Sequence, residues 1–251
     1  MDGIAVKLER LKREAQKEWK RKWRQKLRQA APSTPAEWRA LAGEVLRGFL
    51  KIALIIALPF MVLVRGSVFI YEHGTRSVWL AVLTAGLLTG GVITAYAVWI
   101  ARRLMRRGVR GGRALVVPVA KWVALPLVLF YCGYSLLYLA SVNAKSEPVR
   151  AYYRSVHPLL RLALSTAILV DRDILITDAG RLPEDYGRMG LPTNNRTRHY
   201  KQADGWIHAV DLRTTGRGFI KNRGVQFYFW LMGFDTRRHV GTADHLHVEL
   251  N

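Results

Sequence analysis

Two stretches of this chain stay free of charge for longer than a buried helix of a soluble protein normally does, Ser77 to Ala101 and Trp122 to Val142. Hydrocarbon offers a backbone amide no hydrogen-bond partner, so a spanning segment must be a helix of about 20 mostly apolar residues. Both runs meet that requirement, and Ala114 to Ala120 extends the second one past Lys121. Trp79, Trp99, Trp122 and Tyr138 fall near the ends of the runs, where amphipathic rings meet the lipid headgroups. A third run, Ile52 to Val64, is shorter and lies between Lys51 and Arg65, whose long side chains can reach the headgroups; Val68 to Tyr71 lengthens it. The alternative for this run is an interfacial or re-entrant helix kinked at Pro59.

A net charge of +21 on a uniform soluble protein would suggest nucleic acid, but here the charge is segregated. It is densest in the first 50 residues and in Arg102 to Arg113, which holds six arginines and no acid. Positive loops stay in the cytoplasm, so the arginine cluster predicts three spans with the N-terminus inside and the C-terminus outside. The arm from Lys7 to Gln29 sets Leu8, Leu11, Ala15, Trp19, Trp23 and Leu27 at helical spacing among cations, the pattern of a helix lying on anionic lipid. Pro32 to Pro35 breaks it, with Thr34 placed to cap the next helix. The single cysteine, Cys132, excludes an intramolecular disulfide and reads as a packing residue. The first apolar run begins near Phe49, too late for a cleavable signal peptide. The expected organisation is a basic cytoplasmic arm over 1–47, a transmembrane region over 48–142 with spans near 49–71, 77–101 and 114–142, and an extracytoplasmic domain over 143–251.

After Asn143 the composition becomes that of a small α+β domain. Pro158 to Leu169 has helical periodicity. Asp173 to Asp178, Ile207 to Leu212, Val225 to Met232 and His245 to Leu250 read as strands or buried elements, and Tyr186 to Thr197 as loop. The tail offers metal donors in His199, His208, Asp211, His239, His245 and His247. Two histidines two apart on a strand share a face, so His245 and His247 can address one site, and Asp211 can add a carboxylate. By spacing alone the same residues could equally be surface histidines and a turn-capping aspartate.

In order, Thr177 to Arg181, Arg198-His199-Tyr200, Ala209 to Leu212 and Asp244 to Glu249 resemble the D-alanyl-D-alanine carboxypeptidases and dipeptidases, a group that includes phage endolysin peptidases and the hedgehog signalling domain. The resemblance covers most of 150–251 and none of the membrane region. It implies an α+β domain with an antiparallel sheet and a zinc ion held by His199, Asp211 and His247. It further implies Asp244 as general base, His245 as the auxiliary histidine and Arg181 as the cation that steadies the scissile carbonyl. In the family the first histidine lies closer to the aspartate than the twelve residues that separate His199 from Asp211 here. Either Lys201 to Gly205 is an inserted loop or His208 replaces His199; on a strand His208 would face away from Asp211, which favours His199. Glu249, beyond the last ligand, suits a supporting role better than that of a base.

The function these readings predict is a zinc peptidase of the bacterial inner membrane, its domain in the periplasm, acting on peptidoglycan peptides as a D,D- or L,D-type carboxypeptidase or endopeptidase. A zinc-containing binding domain without turnover is the alternative, followed by a membrane component of a secretion or conjugation machine. The expected partners are the peptide substrate and the bilayer, with anionic lipid at the arm, rather than nucleic acid.

Overall fold

The computed structural model describes residues 14, 16–22, 34–106, 116–188, 190, 192, 196–241 and 244–251. Most of the Lys7 to Gln29 arm, and the arginine cluster beyond Arg106, lie outside the described residues. The chain forms two compact units, 1–55 and 56–251. In the first, residues 16–22 are helical. Thr34 then caps the long helix α1 (Pro35–Ile70). Its hydroxyl accepts the Glu37 amide at 3.2 Å, while the Glu37 carboxylate accepts the Thr34 amide at 3.2 Å.

Helix α1 runs unbroken through Pro59, leaves as a π-turn over Tyr71–Thr75, and is followed by α2 (Val78–Arg106). A third apolar segment comprises α3 (Val116–Val119), a π-turn at Ala120–Ala124 and α4 (Leu125–Leu137). These are three helices long and apolar enough to cross a membrane. The third ends at Leu137 rather than Val142, because the backbone at Tyr138 turns extended.

The remaining α-helices and strands are α5 (Glu147–Tyr152), α6 (Pro158–Val170), β1 (Ile176–Asp178), α7 (Pro183–Arg188), β2 (Ala209–Arg213), α8 (Phe219–Leu231), β3 (Asp235–His239) and β4 (His245–Glu249). The strands form one antiparallel sheet in the order β1-β2-β4-β3. Its Val210, Leu212, Leu246 and Val248 side chains are buried, and the opposite face carries Asp211, His245, His247 and Glu249. Helix α6 is mostly apolar and is buried from Pro158 to Ala167, a core setting that suits such a helix.

The ends of α1 and α2 that meet at the Tyr71–Thr75 turn belong to the same core as the sheet. Leu63, Val64, Val68, Val78 and Val82 join Leu159, Leu162, Phe229 and Phe234 in one buried cluster. Polar contacts reinforce the junction. The Tyr153 hydroxyl donates to the Ser135 carbonyl at 2.8 Å, and buried Arg161 donates to the carbonyl of Leu136 while lying 5.3 Å over the Trp206 ring.

Two readings of the sequence need correction. Val225 to Met232 is not a strand: Val225 to Leu231 completes α8, with Asn222 and Phe229 buried at helical spacing. The apolar residues that suggested a strand include Phe227 and Trp230 on the helix's outer side. The loop expected from Tyr186 onward begins later, because Pro183 and the acids Glu184 and Asp185 start a helical turn that runs to Arg188.

Candidate metal centre

Register brings the site together on the open face of the sheet. Asp211 of β2 pairs with His247 of β4, and His245 lies two residues before it on the same face. His199 arrives from the preceding segment. Lys201 bridges to Ile207, and the Gln202 amide donates to the Trp206 carbonyl at 2.8 Å, so residues 202–206 form a tight turn. That turn folds back the chain between His199 and β2. The His208 amide then donates to the Arg198 carbonyl at 3.0 Å, which sets His199 beside β2.

One ligand atom from each of His199, Asp211 and His247 lies within 4.8 Å of the others, a group able to hold a metal ion. His199 Nε2 is 3.3 Å from His247 Nδ1 and 3.3 Å from Asp211 Oδ1, and His247 Nδ1 is 2.8 Å from Asp211 Oδ1. Donors about 2.0–2.1 Å from a tetrahedral zinc lie about 3.3 Å apart, so two edges already match. His199 and Asp211 are buried.

The outward atoms of the triad fit the same reading. His247 Nε2 is 3.1 Å from Glu249 Oε2, so its N–H can donate there and leave the Nδ1 lone pair facing the centre. Asp211 Oδ2 accepts from Arg181 Nη2 at 2.8 Å, which turns Oδ1 inward. Arg181 is itself fixed by Asp178 at 2.5 Å, and its amide donates to the His199 carbonyl at 3.1 Å. His199 Nδ1 is buried without a hydrogen-bond partner. Burial opposes ionisation of Asp211, yet hydrogen bonds with His199 and His247 hold its carboxyl far below the usual range. Burial would also lower His247, but the Asp211 and Glu249 carboxylates outweigh it and raise its pKa. Two imidazole nitrogens and an ionised carboxylate thus converge on one point, a donor set that could hold a metal ion.

The other site residues stand around this group. His245 Nε2 is 3.6 Å from Asp211 Oδ1, and its ring stacks on His239 with centroids 4.8 Å apart. Asp244 lines the same cleft of about 1030 Å³, but both its oxygens are engaged. Oδ1 accepts from Thr214 at 2.5 Å and from Arg238 Nε at 3.2 Å, and Oδ2 accepts from Arg238 Nη2 at 2.9 Å. The Arg238 and Thr214 hydrogen bonds lower the Asp244 pKa, so the carboxylate is charged at neutral pH and only weakly basic. Arg181 is paired with Asp178 and Asp211 rather than directed at an empty subsite.

Sequence reasoning overlooked a second His–Asp–His group, His157, Asp204 and His208. His208 Nε2 lies 2.8 Å from Asp204 Oδ2, and His157 Nε2 lies 3.9 Å from the same oxygen. His208 therefore belongs to this group and not to the His199 centre. The tautomer at His157 argues against a metal here. Its Nδ1 caps α6 by accepting the Leu159 amide at 3.3 Å, so neutral His157 carries its proton on Nε2, the atom a metal would need. The capping bond would have flagged this group, since His157 immediately precedes Pro158 at the start of an apolar helix. Asp204 gave no such signal.

Compared with known proteins, the chain matches no family model, no curated protein and no solved structure.

Proposed function

We propose that this protein is a membrane-anchored zinc peptidase acting on peptidoglycan peptides, with its C-terminal domain on the outer side of the bacterial inner membrane. The observation that carries this reading is the His199–Asp211–His247 triad, whose inward lone pairs and outward hydrogen bonds suit one metal ion. Zinc held there would polarise a substrate carbonyl and make a nearby water more acidic. The chain's residues supply the rest. Glu249 holds the His247 tautomer, and Arg181 fixes Asp211 while adding positive charge to the cleft wall. Asp244, ionised and oriented by Arg238, accepts a proton and passes it to the leaving amine. Lys145, Arg198, Arg213 and Arg237 also line the cleft, a setting that favours a peptide bearing carboxylates.

A zinc-containing binding domain without turnover is favoured by one observation, the complete engagement of Asp244 and Arg181 in internal pairs. The test uses the full chain in detergent, because the apolar helices contribute to the domain's core. Wild type should release amino acid or peptide from muropeptides, and Asp244→Ala should keep its zinc while losing at least 100-fold in rate. Zinc binding by wild type with no cleavage of any muropeptide would support the binding domain instead.

A further inference from the structure

Helix α8 wears its apolar side outward. At about 100° per residue, Phe219, Ile220, Phe227, Trp230 and Leu231 fall within an arc of about 120°. Ile220 is 85% exposed, Phe219 67%, Trp230 62% and Phe227 58%. The buried side carries Asn222 and Phe229. Five large apolar side chains share one exposed stripe, with Arg223 between its two ends, the kind of surface that marks an interaction site.

We infer that this stripe lies in the headgroup and upper acyl region of the same bilayer the apolar helices cross, docking the domain flat on the membrane. The inference rests on those helices being inserted. Three features favour lipid as the occupant. First, α8 is locked to the helix that leaves the membrane. Gly233, just past its end, has φ 96, and a Cβ there would come within 2.5 Å of Arg65 Nη1 and 2.9 Å of Val68 Cγ1. Second, the Tyr228 hydroxyl donates to the Ala163 carbonyl of α6 at 2.9 Å, and Thr166 of α6 is hydrogen bonded to Tyr131 of α4 at 2.6 Å. Helix α8 therefore cannot lift away from the outer ends of the apolar helices. Third, the stripe has an interfacial composition: three aromatics, with the Arg223 guanidinium 5.4 Å over the Phe219 ring as a cation to meet phosphates. Phe69 of α1, one turn beyond Arg65, is exposed as well.

The experiment exploits the single cysteine. In a Cys132→Ser background, spin labels are placed by Ile220→Cys, Phe227→Cys and Trp230→Cys, with Leu127→Cys on α4 and Lys201→Cys as lipid and water references. The full chain is reconstituted in vesicles of phosphatidylethanolamine and phosphatidylglycerol, and collision rates with oxygen and with a water-soluble nickel chelate are measured. The α8 positions should collide with oxygen several-fold more than with nickel, at a shallower depth than Leu127. If Leu127 reports lipid while α8 reports water as Lys201 does, the docking inference fails and insertion stands. If Leu127 also reports water, insertion fails and docking with it. Low collision with both reagents at α8 would overturn docking on lipid in favour of a protein surface.

Discussion

Among the described residues the protein contains two His–Asp–His groups of the same composition, and they differ in what the outward ring nitrogens contact. At His199–Asp211–His247, the Glu249 carboxylate can accept the outward N–H of His247, the tautomer that turns its Nδ1 lone pair inward. At His157–Asp204–His208, the capping bond to Leu159 takes the outward lone pair of His157 and leaves a proton facing Asp204. The first group could hold a metal ion, whereas in the second a ring N–H of His157 stands 3.9 Å from the Asp204 carboxylate where a ligand lone pair would be needed. Matching residue types thus do not make matching sites; the partners of the outward atoms decide.

The comparison can be broken in several ways. The largest effect is expected for Asp211→Ala, which removes a ligand atom and leaves the half-buried Arg181 facing a lost partner. Bound zinc should fall to background, with a stability loss on the order of 3–5 kcal/mol by denaturant titration. Next, His157→Ala should cost about 2–4 kcal/mol through the cavity and the unpartnered Leu159 amide, with zinc per chain unchanged. Loss of a metal ion from that variant would erase the distinction between the groups. Acid should act through the same histidine. Burial, with the His208 ring beside it, pulls His157 down to about 3, whereas an unfolded histidine titrates near 6.5. The unfolded chain then takes up the proton first, so stability present above pH 6.5 is lost as pH falls toward 3, by a few kcal/mol. A shallower slope in His157→Asn, followed by thermal melts from pH 7 to 4, would confirm the source. The smallest effect is expected for Glu249→Gln, which keeps the fold and weakens zinc affinity about 10- to 100-fold in a chelator competition.

Much of this could be read along the chain, because the informative residues are close in sequence or regular in spacing. The apolar runs declare themselves by the absence of charge, and Thr34 with Glu37 is a local capping pattern. His245 and His247 share a face through strand alternation alone. What stayed hidden depends on distant contacts. Asp204 gains meaning only when a parallel bridge between Val156 and Ile207 brings His157 to it. The sequence β3, Asp-Thr-Arg-Arg-His, is polar and becomes a strand by pairing with β4. The α8 segment misled because its outward face is as apolar as its inward one, which blurs the 3.6-residue period. The boundary expected near residue 143 likewise missed that Leu63, Val68 and Val82 pack with Phe229 and Phe234 in one core.

The most direct measurement is the metal content of the full chain, purified in detergent with trace zinc and analysed by elemental mass spectrometry beside His247→Ala and His208→Ala. The account predicts one zinc per chain in wild type and in His208→Ala, and none in His247→Ala. A wild-type chain without zinc, or a His247→Ala chain that keeps it, would contradict the assignment of the centre.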